Sequence, residues 1–175
     1  MLSRPVPDAE AAYATLRDAV SERLSSNSQR PAIIGVHSGG AWIAERLARD
    51  LGLSDLGFLD ISFYRDDFSR IGLHPQVRPT AIDFALDDRD VLLVDDVLYT
   101  GRTVRAALNA LFDYGRPARV ELAVLVDRHH QTPPDCRELP VAPTYAGASL
   151  ALPAGAQLVL ARDDRNRFTL AIEHG

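Results

Sequence analysis

The sequence predicts an α/β fold, a mainly parallel, twisted sheet flanked by helices and followed by a small β-rich C-terminal part. Three observations carry that prediction. Short apolar, β-branched runs at Ile33 to Val36, Val91 to Val94 and Leu122 to Val126 alternate with segments of helical spacing, the pattern of strands covered on both faces. A polar turn follows each run: His37-Ser-Gly-Gly40, Asp95 to Thr103, and Asp127 to His130. In a doubly wound sheet such turns share the rim at the strand carboxyl ends, where ligands bind. Finally, 175 residues at 46% hydrophobic suffice for one well-buried core and are too few for two ordinary domains, so residues 1–175 are read as a single domain.

Each element follows from its local pattern. Asp8 opens an amphipathic helix with Ala12, Leu16, Val20 and Leu24 at helical spacing, ending in the polar Ser25 to Gln29. After the first strand and its turn, Ala41 to Leu51 is a helix with Ile43, Leu47 and Leu51 on one face. Leu59 to Tyr64 reads as the second strand. Arg65 to Pro79 is a long polar loop punctuated by Gly72, Pro75 and Pro79, of the kind that in a compact domain is either functional or disordered. Ala81 to Ala85 reads as a short pairing strand and Asp87 to Asp90 as a turn. From Val104 the spacing is helical, with Val104, Leu108, Leu111 and Phe112 on one face, as far as Gly115. Beyond Pro133, β-type segments are expected at Val141 to Tyr145, Gln157 to Leu160 and Thr169 to Ile172. There are no repeats and no low-complexity tract.

Composition excludes several classes of function. A single cysteine, Cys136, rules out an intramolecular disulfide or a cysteine metal cluster, and its polar, proline-flanked surroundings give it no expected role. His129 and His130 have no carboxylate or cysteine at metal-ligand spacing. The net charge of −5 disfavours nonspecific attraction to polyanions. All 19 basic residues are arginine, so lysine-based catalysis is excluded. No apolar run is long enough to span a bilayer, and Met1 to Glu10 is polar rather than basic then apolar, which predicts a cytoplasmic protein without a membrane partner.

The stretch Val91-Leu-Leu-Val-Asp-Asp-Val-Leu-Tyr-Thr-Gly-Arg-Thr103 carries the chemistry. It sets two adjacent carboxylates, Asp95 and Asp96, between a buried strand and a helix entrance at Thr100-Gly101-Arg102-Thr103. A helix entrance leaves backbone N–H groups unpaired and carries partial positive charge, and threonine hydroxyls beside a glycine add donors for a phosphate. Strand-end carboxylates, expected to be solvent-reachable, accept hydrogen bonds from a vicinal diol. Together they fit a ribose 5-phosphate. The plain alternative is a strand-end turn residue at Asp95 and a helix cap at Thr103, and the length of the pattern favours the phosphate site.

This stretch resembles the 5-phosphoribosyl 1-diphosphate (PRPP) signature of type I phosphoribosyltransferases. With Leu59-Asp-Ile-Ser-Phe-Tyr-Arg-Asp-Asp67, Tyr114-Gly-Arg-Pro117, Leu122-Ala-Val-Leu-Val-Asp-Arg128 and Arg137-Glu-Leu-Pro140, the chain is similar to the PyrR family of bifunctional pyrimidine operon regulators and uracil phosphoribosyltransferases. The resemblance implies a type I phosphoribosyltransferase fold with a flexible lid loop. It implies PRPP and nucleotide contacts at Ser38, Gly39, Gly40, Val97, Leu98, Tyr99, Thr100, Gly101, Arg102, Thr103 and Arg128. Asp95 and Asp96 would be the catalytic pair, and Arg65, Asp66 and Arg70 would belong to the lid. Many family members have arginine where this chain has Gly39, and Gln131 to Cys136 is extra relative to the common pattern.

Such a site has no dedicated metal cage. PRPP is highly charged and faces an acidic pair, so Mg²⁺ bridging its phosphates, near Asp95 and Asp96, is the expected cofactor. The implied reaction converts uracil and PRPP to uridine 5′-monophosphate (UMP) and diphosphate. Two alternatives stay open: a nucleotide-sensing regulator that binds pyrimidine-operon mRNA in transcriptional attenuation, and a phosphoribosyltransferase for another base. RNA binding is disfavoured because Ala142 and Ala148 stand where arginine and lysine are common in the family. A homo-oligomer, dimer or tetramer, is expected.

Overall fold

The structure, a computed structural model, describes residues 6–62 and 79–174. Helix α1 (Ala9–Ser26) is followed by β1 (Ala32–Val36), α2 (Gly39–Leu51), β2 (Leu56–Leu59), β3 (Asp90–Leu98), α3 (Arg102–Phe112), β4 (Arg119–His130) and β5 (Tyr145–Leu152). A two-stranded antiparallel hairpin closes the chain, β6 (Ala156–Arg162) and β7 (Phe168–His174). The first five strands form one sheet in the order β2-β1-β3-β4-β5, every pairing parallel. This is the expected fold class.

Alternation along the buried strands sorts side chains between two cores. Ile33, Leu92, Val94, Ala123 and Leu125 pack against α1 and α2, while Ile34, Val91, Leu93, Leu122 and Val124 pack against α3. The α1 periodicity holds, with Ala12, Leu16, Val20 and Leu24 all buried. Asp8 caps that helix, its carboxylate accepting from Ala11 N at 2.8 Å, which satisfies one of the orphan N–H groups of the first turn. Across the bottom of the sheet Arg23 reaches Asp90 and Glu121, both at 2.8 Å, tying α1 to the starts of β3 and β4.

Several boundaries differ from the sequence reading, for one recurrent reason. Pairing with a neighbouring strand carries polar residues into the sheet that the sequence alone reads as turns. β3 continues through Asp95 and Asp96 to Leu98 because β4 runs beside it, with Asp95 opposite Val124 and Leu98 opposite Asp127. Likewise Asp127 to His130 is strand rather than turn, since Arg128, His129 and His130 pair with Leu150, Ala151 and Leu152 of β5. The second strand, expected at Leu59 to Tyr64, is Leu56–Leu59, with Asp60 to Ser62 beyond its end and Phe63 and Tyr64 outside the described residues. It pairs with Ile33 to Val36 and stops where the Asp60 carboxylate turns back onto Ser62 N. Ala81 to Ala85 contributes a single bridge, Ala81 with Phe58. The segment expected at Val141 to Tyr145 is the lead-in to β5, which starts at Tyr145 and pairs with β4 from Ala123 onward. On α3 the buried set is Val104, Ala106, Ala107, Ala110 and Leu111. The helix ends at Phe112, which is 41% exposed instead of facing the core.

Candidate active site

Two of the three predicted turns meet over the carboxyl ends of β1 and β3. Gly35 of β1 pairs with Val94 of β3, and the chain leaving β1 folds at once across β3 where the pairing of the two strands ends. Gly40 lies so close that a Cβ there would stand 2.4 Å from Val94 O and 2.9 Å from Asp95 Cα. At Gly39 a Cβ would stand 2.5 Å from Asp96 Oδ2. Only glycine permits this approach. The Ser38-Gly39-Gly40 turn and the acidic pair are thus one surface. Ser38 is exposed and its hydroxyl is not spent on capping α2, whose N-terminus it precedes.

Within the pair the two carboxylates differ. Asp95 is only 5% exposed, against the expectation of a solvent-reachable group; it is sealed because β3 does not stop before it. Its Oδ1 accepts from Asp96 N at 3.0 Å. Asp96 is partly exposed, its Oδ1 accepting from Val97 N at 2.9 Å and its Oδ2 turned toward Gly39.

The helix entrance follows as predicted, with α3 starting at Arg102 rather than Val104. Gly101, at φ +94°, is the residue before the first turn, a left-handed conformation that favours glycine. Gly101 supplies no side-chain cap and no acidic residue lies in the first turn, so the positive end of the helix dipole faces an incoming anion without a competing carboxylate. Thr100 Oγ1 accepts from Arg102 N at 3.3 Å. Thr103 is partly exposed on the first turn.

The third predicted turn supplies something else. Arg128 does not open onto the rim. It is 3% exposed, its guanidinium lies 3.6 Å from the centroid of the Tyr99 ring, and one nitrogen reaches Pro153 O at 3.5 Å. His129 does have carboxylate partners, Asp127 and Asp135, at 3.2 Å on its two ring nitrogens. Sequence spacing missed this because Asp135 is brought back by the extra residues of the following loop. Asp135 is held well below the usual carboxylate range, first by His129 and then by the Cys136 N–H. Cys136 is buried, not solvent-facing, and its thiol donates to Arg128 O at 3.1 Å. Burial pushes that thiol up from its ordinary value, and Asp135 adds to the effect. Arg65, Asp66 and Arg70 lie outside the described residues.

A phosphoribosyl transferase domain model matches residues 6–141, which contain both turns and the helix entrance. A bifunctional protein PyrR of Ralstonia nicotianae is 49% identical over 170 residues, covering 95% of this chain and 94% of the relative. One from Pseudomonas aeruginosa is 55% identical over 125 residues, covering 71% and 70%. The chain belongs to the PyrR family of phosphoribosyltransferases. A solved hypoxanthine phosphoribosyltransferase from Staphylococcus aureus shares the fold at TM-score 0.59 and 19% identity, covering 89% of this chain and 80% of that one.

As a member of this family the chain is a pentosyl-transferring glycosyltransferase on a type I phosphoribosyltransferase fold. The donor set at the rim suits its chemistry. Asp95 and Asp96 offer hard oxygen ligands of the kind Mg²⁺ takes while keeping most of its shell as water and substrate phosphate. Among the described residues no three His, Cys, Asp or Glu converge as a ligand set of their own. No described helix is long and apolar enough to cross a membrane. The Arg137-Glu-Leu-Pro140 block, to which the sequence assigned no role, packs against Tyr99 to Arg102 at the entrance of α3.

Proposed function

We propose that this phosphoribosyltransferase takes uracil as its base, converting uracil and PRPP to UMP and diphosphate. The observation that carries the site assignment is the contact of Gly39 and Gly40 with Val94, Asp95 and Asp96, which sets an amide-rich turn, a carboxylate pair and a helix entrance around one space. The 5′-phosphate is received by Val97 to Thr103 at the entrance of α3. Asp95 and Asp96 hold the ribose hydroxyls, and the backbone N–H groups and hydroxyl of Ser38, Gly39 and Gly40 hold the diphosphate.

In the reaction a ring nitrogen of uracil forms the bond to ribose C1 as the bond from C1 to the diphosphate oxygen breaks, and the proton of that nitrogen passes to the departing diphosphate or to water. Positive charge builds on the sugar, and a preorganised carboxylate beside it stabilises that charge more than it stabilises the ground state. Asp95 and Asp96 would face a Mg²⁺ brought in with the PRPP phosphates, which when bound would supply charge neutralisation for the leaving diphosphate.

Turnover of the purified protein with PRPP and Mg²⁺ against a panel of bases, with products identified by chromatography, tests the reading. UMP formation is expected, abolished by chelation of Mg²⁺. Faster turnover of orotate, hypoxanthine and guanine than of uracil would overturn it.

A further inference from the structure

The entrance of α3 turns on a left-handed glycine that supplies no side-chain cap, and within it Arg102 N makes a long 3.3 Å bond to Thr100 Oγ1. What holds it comes from another part of the chain. Arg137 donates from Nη1 to Tyr99 O at 2.6 Å and from Nη2 to Asp127 Oδ1 at 2.5 Å, bridging the loop to the end of β4. Next along the chain, Glu138 N donates to Thr100 O at 2.9 Å and the Glu138 carboxylate accepts from Arg102 Nε at 2.6 Å. Leu139 and Val141 then cover Gly101, where a Cβ would stand 2.6 Å from Val141 Cγ2. The Tyr99 ring is held as well, by Arg128 on its face and by His130 Nε2 at 3.1 Å from its hydroxyl.

We propose that Arg137 is a positioning residue for the sugar-phosphate loop, acting through the Tyr99 carbonyl to keep Tyr99 to Gly101 in the shape that receives a 5′-phosphate. The proposal rests on the reading of that loop as the phosphate site. A planar guanidinium suits the task. It spans a carboxylate and a carbonyl with separate nitrogens, which one ammonium cannot reproduce, and its bonds are charge-assisted. The extra residues Gln131 to Cys136 do not loosen this arrangement. His129 and Asp135 pinch their loop closed, the Cys136 thiol turns inward onto Arg128 O, and Arg137 is delivered beneath Tyr99. Nothing in the strap from Arg137 to Val141 touches the Ser38-Gly39-Gly40 turn in the contacts described above, so a defect in it acts on one half of the substrate.

That separation makes the test. Calorimetry on Arg137→Gln with ribose 5-phosphate and, separately, with Mg²⁺ and diphosphate is expected to show roughly tenfold or greater weakening for the sugar phosphate, the size of one lost charge-assisted hydrogen bond, with diphosphate binding unchanged. KM for PRPP rises more than kcat falls, and Arg137→Lys, which keeps one of the two bonds, lies between. Equal weakening of both ligands, or of neither, overturns the proposal. Glu138→Gln changes a half-exposed side chain that does not threaten folding. It is expected to shift binding in the same direction if Arg137→Gln does not fold, and unchanged sugar-phosphate binding there overturns the role of the strap. Wild-type protein that binds neither PRPP nor ribose 5-phosphate would instead refute the underlying site.

Discussion

Gly39 and Asp96 lie in contact: a Cβ on the glycine would stand 2.5 Å from Oδ2, 2.8 Å from Cγ and 2.9 Å from Cβ of the aspartate. The turn after β1 therefore sets the direction of a carboxylate on β3. A side chain at Gly39 does not simply add a contact for diphosphate. It moves the Asp96 carboxylate, since even the Asp96 Cβ has to give way.

Two substitutions follow from this contact. Asp96→Asn is expected to lower kcat by about a hundredfold to a thousandfold, as for one preorganised electrostatic contact, with little change in melting temperature because the side chain is partly exposed. Gly39→Ala is expected to lose about a hundredfold in kcat/KM by displacing Asp96, since an error of about 1 Å in a positioning group costs that much. Steady-state kinetics on both variants checks the pair, and wild-type turnover in Gly39→Ala would show that Asp96 does not need its present place. Asp95 is buried, so Asp95→Asn also tests stability and is the less clean probe.

Thr100→Val with Thr103→Val removes two hydroxyls from the helix entrance while keeping their shape. PRPP binding is expected to weaken by roughly a hundredfold, about the worth of two hydrogen bonds to a charged ligand. Diphosphate binding stays the same. An unchanged PRPP dissociation constant by calorimetry would remove both threonines from the phosphate site.

Glu10 links α1, α2 and β7. Its carboxylate takes a forked pair of bonds from Arg46 at 2.8 and 2.7 Å, and one from Phe168 N at 2.7 Å. The Arg46 bond, first among the causes, holds its pKa below the ordinary 4.5 against the opposing effect of burial. A depressed folded-state pKa means the contribution is fully present above about 4.5 and is lost as pH falls through the lower folded value. Glu10→Gln is expected to cost about 1 kcal/mol at neutral pH, allowing for partial exposure, and to lower the melting temperature by roughly 2–4 °C. The difference from wild type shrinks as the pH drops below 4.5, and thermal scans across that range check it. A constant difference at every pH would assign the effect to packing.

RNA binding is expected to be weak. Ala142 and Ala148 replace basic residues common in the family, and the two arginines of α1 that lie closest to an alternative route are engaged. Arg23 is mostly buried between Asp90 and Glu121, and Arg17 pairs with Asp18 at 2.8 Å. Each missing phosphate contact removes close to one unit of salt slope. Anisotropy with the organism's own pyrimidine-operon leader RNA, over a salt series with and without uridine nucleotide, measures this. Tight, nucleotide-stimulated binding at physiological salt would overturn this expectation.

By itself, the sequence determined the parallel α/β class, the buried strands, the α1 stripe and the acid pair beside a glycine-threonine helix entrance. Each of these is written in neighbouring residues: a strand covered on both faces is apolar throughout, a helix repeats its apolar positions, and the phosphate signature is continuous from Val91 to Thr103. Only the tertiary structure decided where β3 and β4 end, because a strand continues as long as a neighbour supplies hydrogen-bond partners, whatever the polarity of its own residues. For the same reason Asp95 proved buried and Asp127 to His130 proved to be strand. Partners distant in the chain were equally invisible: Arg137 meets Tyr99 across 38 residues, and Gly39 meets Asp96 only because β1 and β3 lie side by side. A local pattern reports the face an element buries. It does not report which residue of another element will stand against it.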